Sequence, residues 1–307
     1  MTKNRISFII PAYNEEKFLA RCLRSILKGS NAYHIQTEII VVDNGSKDGT
    51  SDIAQEFTSN VLKIRKQSVS HARNLGFKRA SNDYIAFIDA DVEIDFLWFA
   101  TFIEMQEGES YNEKKFLTGA QCLVPIEGGW IEKNWFSNLS DRYLGGANML
   151  TTKASLEALG GFDETLETGE DYDFCQKAIL NSEVEYAPNT LFKAIHLGFP
   201  SDLKGFYRRE VWHGLGDVKN IHMAFRSPVF LSSILFMLLS SIILIGLMTA
   251  HYFFTATAAI FLILANGSMT YWRFRQARLD SKSFIINFVL NYIYLFARFR
   301  SVFGLNR

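Results

Sequence analysis

Tyr84-Ile85-Ala86-Phe87-Ile88-Asp89-Ala90-Asp91 is a short apolar run that stops at two aspartates one residue apart. Such a run reads as a strand buried on both faces, as in a parallel sheet. Working outward, Ile6, Phe8, Ile9 and Ile10 form a similar strand that Pro11 ends, with Asn14 placed to cap a following helix. Ile39-Ile40-Val41-Val42 is another, stopping at Asp43-Asn44-Gly45-Ser46, and Val61–Ile64 a further one. Between them lie helical patterns: Phe18-Leu19, Cys22-Leu23 and Ile26-Leu27; then Ile53, Ala54 and Phe57; then His71–Ala80. Strands alternating with helices predict an α/β fold with a mainly parallel central sheet. Ligands of such a sheet bind at its carboxyl edge. The polar and acidic residues collect at that edge, in Pro11–Glu16, Asp43–Thr50 and Asp89–Asp91.

Beyond Asp95 the pattern Phe96, Leu97, Phe99, Ala100, Phe102 and Ile103 predicts a helix, and Glu104–Lys115 a solvated stretch. Residues 116–150 are less periodic; Gly128-Gly129-Trp130 suggests an exposed loop and Gly145-Gly146-Ala147 a close backbone approach. A helix is expected from Asp171, then strands at Val184–Tyr186 and Leu191–His196. With 48% apolar residues in 307, the chain has enough material for a sizeable core, which excludes global disorder. Cys22, Cys122 and Cys175 show no metal-ligand spacing and read as reduced thiols. The N-terminal apolar segment is too brief for a signal peptide, an expectation of a cytoplasmic front end.

The formal charge is zero but uneven. Residues 228–307 carry seven basic residues and one acidic, residues 1–227 carry 25 and 31. This excludes a domain-wide nucleic-acid surface and suits a basic tail against a membrane. No charged residue occurs from Ser227 to Trp272, 46 residues. A continuous helix of that length would measure ~69 Å against a ~30 Å hydrocarbon core, so two spans fit, near 229–249 and 253–272. The expected boundary is thus a catalytic domain over 1–225 and a membrane region over 226–307. The apolar segment 284–297 is short for a span. Asn287, Asn291, Tyr294 and Arg298 share one side of it, so it is expected to be an amphipathic, interfacial helix.

Asp89 and Asp91 can present oxygens to a hard divalent cation, Mg²⁺ or Mn²⁺. His196, following a predicted strand, would join Asp91 as a second ligand. Lys47, Arg65, Lys66 and Arg73 supply positive charge for a diphosphate. The chain has no GxxxxGK[ST] and no GxGxxG after a strand, which excludes a P-loop and a dinucleotide-binding unit. Asp171, in Gly169-Glu170-Asp171-Tyr172-Asp173 at a helix start, can project into a cleft as a general base.

Taken together the blocks resemble the family 2 glycosyltransferases of GT-A fold, over roughly residues 5–215. They are Phe8–Glu16, Val41–Thr50, Ala72–Gly76, Phe87–Asp91, Leu159–Glu164 and Gly169–Asp171, in family order. The resemblance implies that Pro11, Tyr13 and Glu15 line a nucleotide pocket and that Asp43 contacts the base. It implies Arg73 near the nucleotide, Asp89 near the ribose, and Asp91 and His196 on the metal. Asp171 would be the catalytic base, Glu170 its neighbour toward the acceptor, and Arg208 and Arg209 would touch the leaving diphosphate. Asn44 stands where a second acid is frequent in the family. The Gln-x-x-Arg-Trp block of processive synthases is absent, which favours transfer of a single sugar.

The implied enzyme is an inverting, metal-dependent hexosyltransferase. It takes a nucleoside-diphosphate sugar, UDP-linked first, to a hydroxyl of a membrane- or lipid-linked glycan in envelope or exopolysaccharide assembly. Its expected place is the inner membrane, catalytic domain toward the cytoplasm, with membrane lipids and no nucleic acid as partners. The alternatives are transfer onto a polyprenyl phosphate, and a non-catalytic scaffold or sugar-nucleotide sensor. A nucleotidyltransferase is disfavoured because Pro11–Glu16 stands where those enzymes place a Gly-rich basic loop.

Overall fold

A computed structural model describes residues 4–108, 114–139, 143–218 and 227–304. The strands are β1 (Arg5–Ala12), β2 (Gln36–Asp43), β3 (Val61–Lys63), β4 (Tyr84–Ile88), β5 (Val92–Ile94), β6 (Lys115–Gly119), β7 (Asn148–Thr152), β8 (Val184–Tyr186) and β9 (Ala194–His196). The helices of the first part are α1 (Leu19–Ala32), α2 (Thr50–Phe57), α3 (Val69–Arg79), α4 (Phe96–Glu107), α5 (Trp130–Asn134), α6 (Lys153–Leu159) and α7 (Glu170–Leu180). They are followed by α8 (Leu203–Val218), α9 (Pro228–Met248), α10 (Tyr252–Phe274) and α11 (Ser281–Ser301). Contacts divide the chain into two units: Met1–Ile126 with Asp141–Phe199, and Glu127–Ser140 with Pro200–Arg307. The second unit therefore takes in α5 and α8 as well as the apolar helices.

The first unit is built on a sheet of order β3-β2-β1-β4-β7-β6-β8, mostly parallel and GT-A-like. Alternate residues of β1 face opposite ways. Phe8 and Ile10 pack with Trp98, Phe99 and Phe102 of α4, whereas Ile9 joins Val42, Phe87 and Ala72 on the other side. This two-sided burial explains the uninterrupted apolar runs. β7 runs antiparallel to both β4 and β6, a reversal inside the aperiodic stretch. β1 and β2 are in parallel register with Ala12 opposite Asp43, which aligns their carboxyl ends. Chain order reverses between β1 and β4, the position where such sheets open a ligand crevice.

Asn14 does not cap α1, which starts at Leu19. With φ of +57°, it accepts a hydrogen bond from the Lys47 amide, and its own amide donates to Ser46 Oγ. The loop after β1 is thereby tied to the loop after β2.

In the second unit α9 and α10 are 21 and 23 residues long and apolar enough to cross a bilayer. Leu238, Ile245, Met248, Phe253, Phe261 and Leu264 are exposed along them. These two helices are consistent with a membrane hairpin, and they match the spans read from the sequence. α11 extends past the expected 284–297 to 21 residues. Its polar side is turned inward: Asn287, Asn291 and Tyr294 are buried. Asn291 donates to Asn266 Oδ1 at 2.8 Å, and Asn266 donates to the Phe288 carbonyl at 2.8 Å. Ile285 and Val289 face outward instead.

Candidate active site

The site in the first unit centres on Arg73, whose side chain is 2% exposed. α3 carries it beneath the sheet edge. It donates through Nη2 to Asp89 Oδ1 at 2.8 Å and through Nη1 to Glu170 Oε1 at 2.7 Å. Burial penalises the guanidinium charge, but Asp89 and Glu170 outweigh that penalty and keep it protonated at any working pH. The fork joins the end of β4 to the first turn of α7, elements far apart in the chain. Space for it depends on Gly146, where a Cβ would lie 2.5 Å from Nη2. The close approach expected at Gly145-Gly146 is thus an approach of backbone to guanidinium.

Asp171 follows Glu170 on α7, whose N-terminus begins after Gly169 in the left-handed conformation (φ +82°). Its Oδ2 accepts from the Gly146 amide at 3.2 Å and its Oδ1 from the Tyr172 amide at 2.8 Å. These contacts leave acceptor capacity on both oxygens. Glu170 is buried and accepts from Arg73. Arg73, expected beside a nucleotide, spends two donors on Asp89 and Glu170.

Asp91 and His196 are brought together by the pairing of β5 with β9, in which Val92 stands opposite His196. His196 Nδ1 lies 3.5 Å from Asp91 Oδ2 and accepts from the Gly198 amide at 3.2 Å. The imidazole stacks on Phe199, centroids 4.1 Å apart. A Cβ at Gly198 would meet Asp91 Oδ2 at 2.0 Å, so glycine is required for the pair to form. Nothing in the sequence around Gly198 signals a side chain arriving from residue 91.

Glu15, in the loop after β1, is pushed up to about 8 by burial first, then by Asp91, Asp89 and Asp48. The cleft is therefore strongly electronegative. Among the described residues, no group of three or more His, Cys, Asp or Glu could hold a metal ion. Asp91 and His196 are nevertheless the residues that would hold a Mg²⁺ or Mn²⁺ in this negative cleft, where substrate phosphates and water would supply its other oxygens.

On the nucleotide side, Asp43 is buried at the end of β2 and accepts from the Ser46 amide at 2.9 Å. Pro11 is buried in β1 and Tyr13 is exposed, with Lys66 Nζ 3.2 Å above its ring. Asn44 has a structural task. Its amide donates to the Gln67 carbonyl at 2.9 Å and its oxygen accepts from the Gln67 amide at 2.8 Å, pinning the loop after β3. An acid there could make only one of the two bonds. Arg208 and Arg209 lie on α8 of the second unit, where Arg209 pairs with Glu210 at 2.7 Å.

Residues 7–112 match the family described as Glycosyl transferase family 2. A glycosyltransferase, AglE, of Haloferax volcanii is 35% identical over 190 residues, 56% of this chain and 60% of the relative. The chondroitin synthase of Escherichia coli is 33% identical over 106 residues, covering 33% of this chain and 15% of that protein. A 4,4'-diaponeurosporenoate glycosyltransferase of Staphylococcus aureus is 28% identical over 181 residues, 54% and 44% of the two chains. The chain thus spans less than two thirds of each of these relatives. Among solved structures, a mannosyltransferase from Pyrobaculum calidifontis in complex with GDP-Man and Mn²⁺ superposes with a TM-score of 0.56. At 15% identity, over 98% of this chain and 88% of the other, it shares the fold. Residues 7–112 therefore carry a family 2 glycosyltransferase catalytic domain.

Proposed function

We propose that this chain transfers a single sugar, with inversion, from a nucleoside-diphosphate sugar to a hydroxyl of a membrane- or lipid-linked glycan. The observation that carries this reading is the Arg73 fork, which gathers Asp89 and the Glu170-Asp171 turn onto one side of the sheet edge. Pro11, Tyr13, Glu15 and Asp43 then line the nucleotide pocket, a UDP-linked donor being the first choice. Asp91 and His196 would hold a divalent cation, which would supply positive charge to the departing diphosphate. Arg208 and Arg209 are proposed to meet that diphosphate as well.

Asp171 takes the proton from the acceptor hydroxyl as its oxygen attacks the anomeric carbon on the face opposite the diphosphate. The Gly146 and Tyr172 amides hold the carboxylate in place. Arg73 keeps Glu170 and Asp89 from repelling each other and so positions Asp171 without touching substrate. The hairpin α9–α10 holds the domain at the membrane, the cytoplasmic leaflet in our reading, and α11 lies along the interface. Tethering concentrates lipid-borne acceptors near the cleft, as envelope or exopolysaccharide assembly requires.

Asp171→Asn tests the base. Donor binding should persist while turnover falls ~10²–10⁴-fold, the usual loss when a proton-transfer base is removed. Equal loss of both would make Asp171 structural. Unchanged turnover would favour a polyprenyl phosphate acceptor, whose oxygen is already ionised and needs no base.

A further inference from the structure

The second unit contains a cation, Arg273, that the transfer chemistry at Asp171 does not use. Arg273 lies in the last turn of α10, with its guanidinium 4.1 Å from the Tyr294 ring centroid and 5.2 Å from that of Trp135. Its Nε is buried and has no hydrogen-bond partner. Nearby, Glu210 is buried, accepting from Arg209 at 2.7 Å and from Arg298 at 3.0 Å, so each carboxylate oxygen is engaged. Two guanidinium groups thus bind one carboxylate, and the Arg273 charge acts on it from nearby. His213 adds no charge, being pushed down to about 3 by burial and by Arg209 and Arg298, against the pull of Glu210. Excess positive charge beside an aromatic floor is costly to bury without an anion.

The depth of this group follows from what α11 touches. Tyr292 packs on Phe236 of α9, centroids 4.4 Å apart, and Val302, just past the end of α11, on Phe230. On α10, Asn291 meets Asn266, and Tyr294 shares the Arg273 and Trp135 cluster with Phe274. All these contacts lie at the open end of the hairpin, where α9 begins and α10 ends. If α9 and α10 span the hydrocarbon core, that end stands at the level of the lipid phosphates. Trp272 and Tyr271 are exposed beside it, with Arg275 4.2 Å over the Trp272 ring, an arrangement suited to the bilayer interface.

Resting on the membrane-anchored reading above, we infer that Arg273, framed by Trp135 and Tyr294, is a seat for the phosphate of a lipid. A guanidinium held by its flat faces keeps its edge donors for a phosphate, which it binds as a two-pronged fork. The lipid's hydrocarbon would run along the exposed apolar side of the hairpin. A water-soluble phosphate gains nothing from that surface. Two lipids offer the chemistry, an isoprenoid phosphate that carries the acceptor and a bulk anionic phospholipid.

The test uses the full chain in phosphatidylcholine nanodiscs, with Mn²⁺-dependent UDP binding measured in the same samples. Farnesyl phosphate, dioleoylphosphatidylglycerol and inorganic phosphate are titrated separately. Saturable binding of farnesyl phosphate is expected, weakened about 10–100-fold by Arg273→Gln, partly restored in Arg273→Lys, with UDP binding unchanged in both. The same dependence with phosphatidylglycerol also upholds the seat and assigns it to bulk headgroups. Lipid binding indifferent to Arg273→Gln, or inorganic phosphate binding as tightly as the lipids, overturns it. Loss of UDP binding in the wild type alone, with lipid binding intact, removes the transferase reading and leaves the seat standing.

Discussion

The two units solve one electrostatic problem with opposite signs. In the first, a buried cation, Arg73, joins two carboxylates. In the second, a buried carboxylate, Glu210, joins two guanidinium groups. Each triad is left with one charge in excess, and each has more of the same sign close by: Asp171 beside the first, Arg273 near the second. The first site is therefore left electronegative and the second electropositive. Composition hides this division, because the whole chain sums to zero.

Removing the central charge should be the most damaging way to break the symmetry. Arg73→Met leaves Asp89 and Glu170 facing each other over an apolar side chain, and breaking a buried pair in this way costs ~3–5 kcal/mol. Glu210→Met leaves Arg209 and Arg298, but Arg209 is 32% exposed and can swing its head into water. Urea midpoints of the two variants in the same detergent should therefore rank Arg73→Met as the less stable. Equal or reversed losses would mean that the Arg73 fork is a surface contact with little structural weight.

The sequence made the parallel half of the first unit readable, since β1, β2 and β4 are short apolar runs ending at polar turns. It obscured β6 and β7 because their inward positions include Thr118, Thr151 and Thr152, which are buried. Thr118 and Thr151 donate to the carbonyls of Ala187 and Phe116, a solution no apolar pattern reveals. The Asp89-Ala90-Asp91 pair was legible, whereas the inward turn of Glu170 was not: an acid in a first helical turn looks the same facing water or a buried arginine. On α11 the polar stripe was found correctly, but its partner Asn266 lies on another helix within an apolar stretch. Local spacing could not say that the stripe faces protein.

A smaller perturbation sharpens the comparison at the Asp91–His196 pair of the first unit. Gly198→Ala introduces a methyl group where Asp91 Oδ2 sits, so either the carboxylate or the β9 exit must move. Overpacking of this kind costs typically ~1–3 kcal/mol. Mn²⁺-dependent donor binding should weaken about 10–100-fold, as displaced metal-site support usually does. Lipid binding at Arg273 should be unaffected. An Ala variant with wild-type Mn²⁺ dependence would dissociate Asp91 and His196 from the metal.

A pH-dependent effect concerns proton binding at Glu15, whose carboxyl is pushed up to about 8 from 4.5 by burial, then Asp91, Asp89 and Asp48. Below 4.5 the group is protonated in both folded and unfolded chains and contributes nothing to the pH dependence. Between 4.5 and 8 the unfolded chain gives up the proton while the folded one keeps it, so stability falls as pH rises through that window. Above 8 both are ionised and the loss is complete. Glu15→Gln removes this loss, so its melting temperature in EDTA should gain on the wild type from pH 5 to pH 8 and then hold level. Mn²⁺ should shrink that gain by stabilising the ionised carboxylate of the wild type, because the acids that repel Glu15 would then share a cation. A gain independent of both pH and Mn²⁺ would place Glu15 outside the negative cleft.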